Sequence, residues 1–121
     1  MGLTYARSGV NIADGDDFVR RIKKSVRPTF SKAVLSDIGA FGAFYDARFE
    51  GYRHPVLVSS VDGVGTKLLV AQRMNRHDTV GQDLVNHCVN DILACGARPL
   101  FFLDYFATGR LEPVAAASLL Q

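Results

Sequence analysis

The sequence holds no apolar run approaching the roughly 18 residues of a membrane-spanning helix, and no basic-then-apolar leader follows Met1. Internal repeats, low-complexity tracts and linker-like stretches are also lacking. No membrane partner is therefore expected, and a cytoplasmic location is. Net charge is nearly absent: 14 basic residues against 12 acidic ones leave +2. That balance points to no nucleic-acid partner, so any bound anion must be held by a local arrangement of groups. Cysteine is scarce. Cys88 and Cys95 stand two turns apart on one face of an expected helix, too far apart for a disulfide, and both are expected to be reduced core thiols. The 121 residues, 48% hydrophobic and 21% charged, suffice for one domain with a core and leave no room for a second.

What is present divides into short elements. Residues 1–13 show a break at Gly9 and no strong period, and an extended arm is expected there. An acidic start at Asp14, Asp16 and Asp17, apolar Phe18, Val19, Ile22 and Val26, and a basic end predict an amphipathic helix stopped by Pro28. Its cations Arg20, Arg21, Lys23, Lys24 and Arg27 read mainly as a solvated face, with one of them able to reach a phosphate. Residues 36–46, with Gly39 and Gly42 among aromatics, suit a tight loop leading into a short strand. They lack the G-x-G-x-x-G spacing of a dinucleotide fingerprint. Residues 55–61 and 100–106 are expected strands, residues 67–74 and 79–95 expected helices, the latter closed by Gly96. A last helix begins at Glu112-Pro113 and reaches Gln121 without a cap, glycine or exit, so the chain is expected to be a truncated domain.

The chemistry gathers where the first strand ends. Asp62-Gly63-Val64-Gly65-Thr66-Lys67 offers, within six residues, a carboxylate for Mg2+, glycines that let backbone N–H groups approach an anion, a helix start and a cation. The order Thr66-Lys67 excludes a P-loop, which needs Gly-Lys-Ser/Thr after a longer loop. A glycine-rich strand exit with an Asp cap is an equally good account of this turn taken alone. The helix over 79–95 shifts the balance, because Asp83, His87, Asn90 and Asp91 fall on one side and Val80, Leu84, Cys88, Ile92 and Cys95 on another. Asp91 then serves as a second Mg2+ carboxylate beside Asp62, with Asn90 orienting it or a phosphate. Asp83, His87 and Asp91 at four-residue spacing offer a histidine between two carboxylates. A hydrogen-bonded histidine is the commoner outcome of such spacing, and zinc is not favoured. His54 and His77 read as exposed, and Asp104, odd inside an aromatic strand, must pair with a cation or face a cavity.

Several strings together resemble one family. Val58 to Lys67, His77-Asp78-Thr79-Val80-Gly81, Val89-Asn90-Asp91 and Phe101 to Gly109 are similar to the aminoimidazole ribonucleotide synthetase, or phosphoribosylformylglycinamidine cyclo-ligase, family. Ser8 to Ile12, Arg21-Ile22-Lys23 and Gly39 to Ala43 resemble its N-terminal stretch and glycine-rich loop. Selenophosphate synthetase and thiamine monophosphate kinase are more loosely similar. The resemblance implies an α/β N-terminal ATP-binding domain, a mixed sheet with helices packed on one side, and strands that join a second protomer's in a barrel, hence a homodimer. It implies a purine-biosynthesis ligase whose cofactors are ATP and Mg2+ and whose substrate is a small ribonucleotide. ATP phosphorylates the amide oxygen of formylglycinamidine ribonucleotide, and the adjacent nitrogen closes the imidazole ring. Carried onto this sequence, Asp62 and Asp91 bind Mg-phosphate, Gly63, Gly65, Thr66 and Lys67 cradle it, and Lys23 folds over it; no residue acquires a catalytic role. The family's later Gly-Gly-Glu-Thr-Ala-Glu motif and C-terminal domain are absent from these 121 residues. A fragment inactive alone is therefore expected. The alternative is a non-catalytic nucleotide-binding or dimerisation module that works with a separate C-terminal chain.

Overall fold

The computed structural model describes residues 2–120. Met1 and Gln121 lie outside them, and with them the expected uncapped helix end at Gln121. The α-helices are α1 (Ile12–Val26), α2 (Lys67–Met74), α3 (Val80–Ala94) and α4 (Pro113–Ser118). They fall into two compact units. One comprises the residues up to Arg48 with those from Ala107 onward, and the other Phe49–Phe106.

In the first unit the expected extended arm is instead a 3-10 turn over Ala6–Ser8, and α1 begins two residues earlier than its acidic start suggested. Local capping is the reason. The Asn11 side chain accepts a hydrogen bond from the Ala13 N–H at 3.0 Å, satisfying one of the donors that every helix start leaves open. Phe18, Val19, Ile22 and Val26 form the half-buried stripe of α1, as their spacing required. Helix α4 packs against α1 and buries Ala116 and Ala117, whose small side chains permit a close approach. It closes at Ser118, short of the expected run to residue 120. Residues 33–46 fold back on themselves. Leu35 N donates to Phe44 O at 2.8 Å, Asp46 N donates to Ala33 O at 2.7 Å, and Val34 and Tyr45 form an antiparallel bridge. Gly39, at φ +96°, is needed at the tip of this loop, because a Cβ there would lie 3.2 Å from Cγ1 of Val19.

The basic face of α1 is not merely solvated. Arg20 and Arg21 pair with Asp17, while Lys23 Nζ lies 3.2 Å and Arg27 Nη2 2.5 Å from Asp37 Oδ2. The Arg27 guanidinium, with help from the Ile38 N–H and Lys23, holds the Asp37 carboxyl well below the usual carboxylate range. A carboxylate whose folded value is depressed contributes stability that is present above its unfolded value, about 4, and is lost as pH falls further. Asp37→Asn is accordingly expected to lower the urea midpoint slightly at neutral pH and to flatten the acid side of the stability profile below about pH 4. The effect is small because the pair is solvent-exposed, and added salt should shrink it. Equal midpoints for both proteins across that range would remove Asp37 from the stability balance.

In the second unit α2 and α3 pack together around Ala71, Val80 and Cys88. Both helices close as Schellman motifs. After α2, Asn75 takes the left-handed conformation at φ 48° and Arg76 N donates to Ala71 O. After α3, Gly96 at φ +73° does the same, with Gly96 N donating to Leu93 O at 2.9 Å and Ala97 N to Ile92 O at 3.0 Å. Cys88 is in the core as expected, but Cys95, at the exit of α3, is exposed. The largest departure concerns the expected strands. Neither 55–61 nor 100–106 is part of a strand, and the Val34–Tyr45 bridge is the one β pairing among the described residues. Among the described residues the strands of the expected mixed sheet are not seen. Composition fits those segments for a pleated, half-buried surface, but a strand exists only against a neighbour that takes its hydrogen bonds. Val56 and Val61 are 85% and 96% exposed, and Tyr105 is 92% exposed.

Among the described residues no helix is long and apolar enough to cross a membrane.

Candidate functional site

The Gly-rich turn and the polar face of α3 meet within the second unit. Asp62 stands where residues 55–61 end, and its Oδ1 accepts from the Gly63 N–H at 2.7 Å. The chain then passes through Gly65 at φ +73°, a conformation open to glycine and costly for other residues, and enters α2 at Lys67. A Cβ at Gly63 would meet no atom within 4 Å, so the loop's outer side is open for a ligand to approach the backbone. Thr66 caps α2 by backbone position alone, and its side chain makes no capping bond. The expected helix start near Thr66 is therefore correct to within one residue.

On α3, His87 and Asp91 are one helical turn apart and point the same way. His87 Nε2 lies 2.7 Å from Asp62 Oδ2. Asp91 Oδ2 accepts from the Ser60 hydroxyl at 2.8 Å. One ligand atom from each of Asp62, His87 and Asp91 can be chosen so that all three lie within 4.8 Å of one another. The two carboxylates picked out from sequence are thus brought near one another. Asp83, the third acid of the four-residue series, is not with them: its Oδ2 is 3.2 Å from Lys67 Nζ. The histidine is hydrogen-bonded, as its spacing suggested, but its partner comes from the turn and not from its own helix.

Ser60 is the residue that sequence reasoning missed, and for His87 it missed the partner. The one signal for Ser60 was its proximity to Asp62 in the chain. A nucleophilic relay is not built here, because the Ser60 hydroxyl donates its hydrogen bond to Asp91 and not to His87. Asn90 is exposed beside Asp91. Lys23 belongs to the other compact unit, on α1, engaged with Asp37. Asp104 finds no ion pair among the described residues. The residue keeps exposed surface, yet neighbouring atoms desolvate its carboxyl and push it above the usual carboxylate range. His54 is exposed as expected, while His77 is half-buried.

Residues 46–121 match the protein family described as "AIR synthase related protein, N-terminal domain". The chain belongs to this family. The match spans the turn, α2 and α3, and supports the α/β fold type of the family's N-terminal domain. Among curated proteins the chain is similar to a phosphoribosylformylglycinamidine cyclo-ligase of Rippkaea orientalis, 50% identical over 119 residues, which are 98% of this chain and 34% of that protein. The same name is carried by a Geobacter metallireducens relative, 54% identical over 120 residues, covering 99% of this chain and 34% of the relative. A Thermodesulfovibrio yellowstonii relative of that name is 51% identical over 121 residues, 100% of this chain and 35% of its own. The chain spans about a third of the length of the curated relatives it matches.

Proposed function

We propose that this chain is the nucleotide-binding portion of an ATP-dependent ligase that closes the ring of formylglycinamidine ribonucleotide to give aminoimidazole ribonucleotide in de novo purine biosynthesis. The observation that carries the reading is the meeting of Asp62 and Asp91 beside the glycine turn that opens α2, in a chain 50% and 54% identical to two proteins named as cyclo-ligases. Asp62 and Asp91 would hold Mg2+, which when bound neutralises the charge of the ATP phosphates. Gly63, Gly65 and Thr66 would leave backbone N–H groups and the start of α2 facing phosphate oxygens. Lys67 would exchange Asp83 for a phosphate, an exposed pair that costs little to break. Asn90 would orient Asp91 or a phosphate, and Lys23 would exchange Asp37 for one. The phosphorylated amide oxygen then leaves as phosphate when the adjacent nitrogen closes the ring, with ADP as the other product. In the assembled enzyme residues 55–61 and 100–106 would become strands of a barrel shared by two protomers. A cytoplasmic homodimer is the expected form.

A second reading is a non-catalytic nucleotide-binding or dimerisation module that acts with a separate C-terminal chain. Fusing this chain to the remaining two thirds of the Geobacter metallireducens relative tests both. The fusion is expected to release ADP in the presence of ATP and formylglycinamidine ribonucleotide, and the chain alone is expected to release none. Full turnover by the chain alone, or a folded but inert fusion, would count against the ligase reading. Activity recovered by mixing the two pieces unfused would favour the module.

A further inference from the structure

The dipeptide Asp-Gly occurs twice in the chain, at Asp14-Gly15 and at Asp62-Gly63. In this pair no side chain on the second residue shields its backbone nitrogen, which can attack the aspartate's carboxyl carbon and close a five-membered ring. The fold treats the two copies differently. Asp14 and Gly15 lie inside α1, where Gly15 N donates to Asn11 O at 3.2 Å. Ring closure there would withdraw an N–H from the first turn of a helix that Asn11 caps. Asp62 and Gly63 belong to no helix or strand, and both are exposed. Gly63 N lies 2.7 Å from Asp62 Oδ1, so the attacking nitrogen and the carboxyl group already stand together. A Cβ at Gly63 would meet nothing within 4 Å, and the Asp62 side chain is 46% exposed, so water reaches both groups.

We propose that Asp62-Gly63 is a site of spontaneous aspartate isomerisation, where the chain acquires an isoaspartyl linkage with time while Asp14-Gly15 stays intact. Gly63 N bonds to Asp62 Cγ, and one carboxylate oxygen leaves as water, taking the amide hydrogen and a proton from solvent. Water then adds back to the succinimide. Cleavage of the N–Cγ bond restores aspartate. Cleavage of the bond from the nitrogen to the former main-chain carbonyl gives isoaspartate, with the freed carboxylate on Cα. The water lost in the first step is regained in the second, and neither an oxidant nor a reductant takes part. In the product the backbone runs through Cβ and Cγ, so the turn is one atom longer and its carboxylate is one bond closer to the main chain. The modified chain is therefore expected to lose Mg-ATP binding. That consequence, unlike the modification itself, rests on the reading of Asp62 as a ligand of Mg2+.

The test is incubation of the 121-residue chain in neutral buffer at body temperature. Isoaspartate is counted by enzymatic methylation of peptides and located by electron-transfer fragmentation. In the folded chain the amount at position 62 is expected to exceed that at position 14 by roughly tenfold or more, since a resistance of α1 to local opening of about 1.4 kcal/mol already gives a factor of ten. In urea the two positions should become similar. Gly63→Ala, at a residue outside the left-handed region, should slow the reaction at position 62 severalfold by crowding the nitrogen. Mg-ATP should slow it in the wild-type chain by engaging the carboxylate. No isoaspartate at position 62 of the folded chain, equal amounts at both positions, or an unchanged rate in Gly63→Ala would each overturn the proposal. Isoaspartate at position 62 that Mg-ATP does not slow would uphold the modification and count against Asp62 as a metal ligand.

Discussion

Asp62→Asn is expected to weaken Mg-ATP binding by this chain roughly tenfold or more, as read by titration calorimetry. The substitution keeps the size of the side chain and one oxygen for the Gly63 N–H, but removes the charge that makes it a ligand for a hard cation. Asp91→Asn should act in the same direction and keep a side-chain oxygen to accept from the Ser60 hydroxyl, which donates to Asp91 at 2.8 Å, so neither change is expected to alter folding. Both residues are exposed, and exposed positions away from caps and core tolerate isosteric change. Equal binding by wild type and the Asp62 variant would remove that residue from the site.

Self-association is the second large effect. Residues 56–61 and 101–105 present apolar side chains to solvent in a density unusual for a monomeric surface, from Val56, Leu57 and Val61 to Leu103 and Tyr105. Segments rich in β-branched and aromatic residues, left without a neighbour, are templates for pairing with another chain. In sedimentation velocity the isolated chain is expected to run as dimers or larger species. Val58→Lys with Leu103→Lys should return it to the monomer, since the added charges are costly to bury between chains and blunt segments that would otherwise pair. The helical circular dichroism should be unaffected, because neither residue belongs to a helix. A wild-type chain that stays monomeric at every concentration tested would show that these surfaces do not drive pairing.

The helices flanking the site were legible because their signals are local. Gly96 marks the end of α3, and the polar face of that helix follows from its 3.6-residue period. Residues 1–13 misled for a local reason too: Asn11 is a good cap, but it stands before Ile12 and Ala13, whose helical character no acidic residue announces. Cys95 was misplaced because period alone puts it on the buried stripe, whereas it stands at the helix exit where the chain turns away. The strands failed differently. Their composition is right, and what they lack is a partner, which residues 55–61 by themselves cannot supply.

The sequence alone determined the glycine turn, the carboxylates at positions 62 and 91, the approximate limits of α2 and α3, and strings specific enough to indicate the family. Each is a property of a contiguous segment, set by dihedral preference, capping or periodicity. Only the tertiary structure decided that His87 reaches Asp62, that Ser60 holds Asp91 and that Lys67 takes Asp83 out of the acidic row. Those pairs join residues 25, 31 and 16 positions apart, by subtraction of their numbers. Their geometry depends on how the turn after residue 61 and helix α2 lie against α3, and that is fixed by the burial of Ala71, Val80 and Cys88 and not by any local preference.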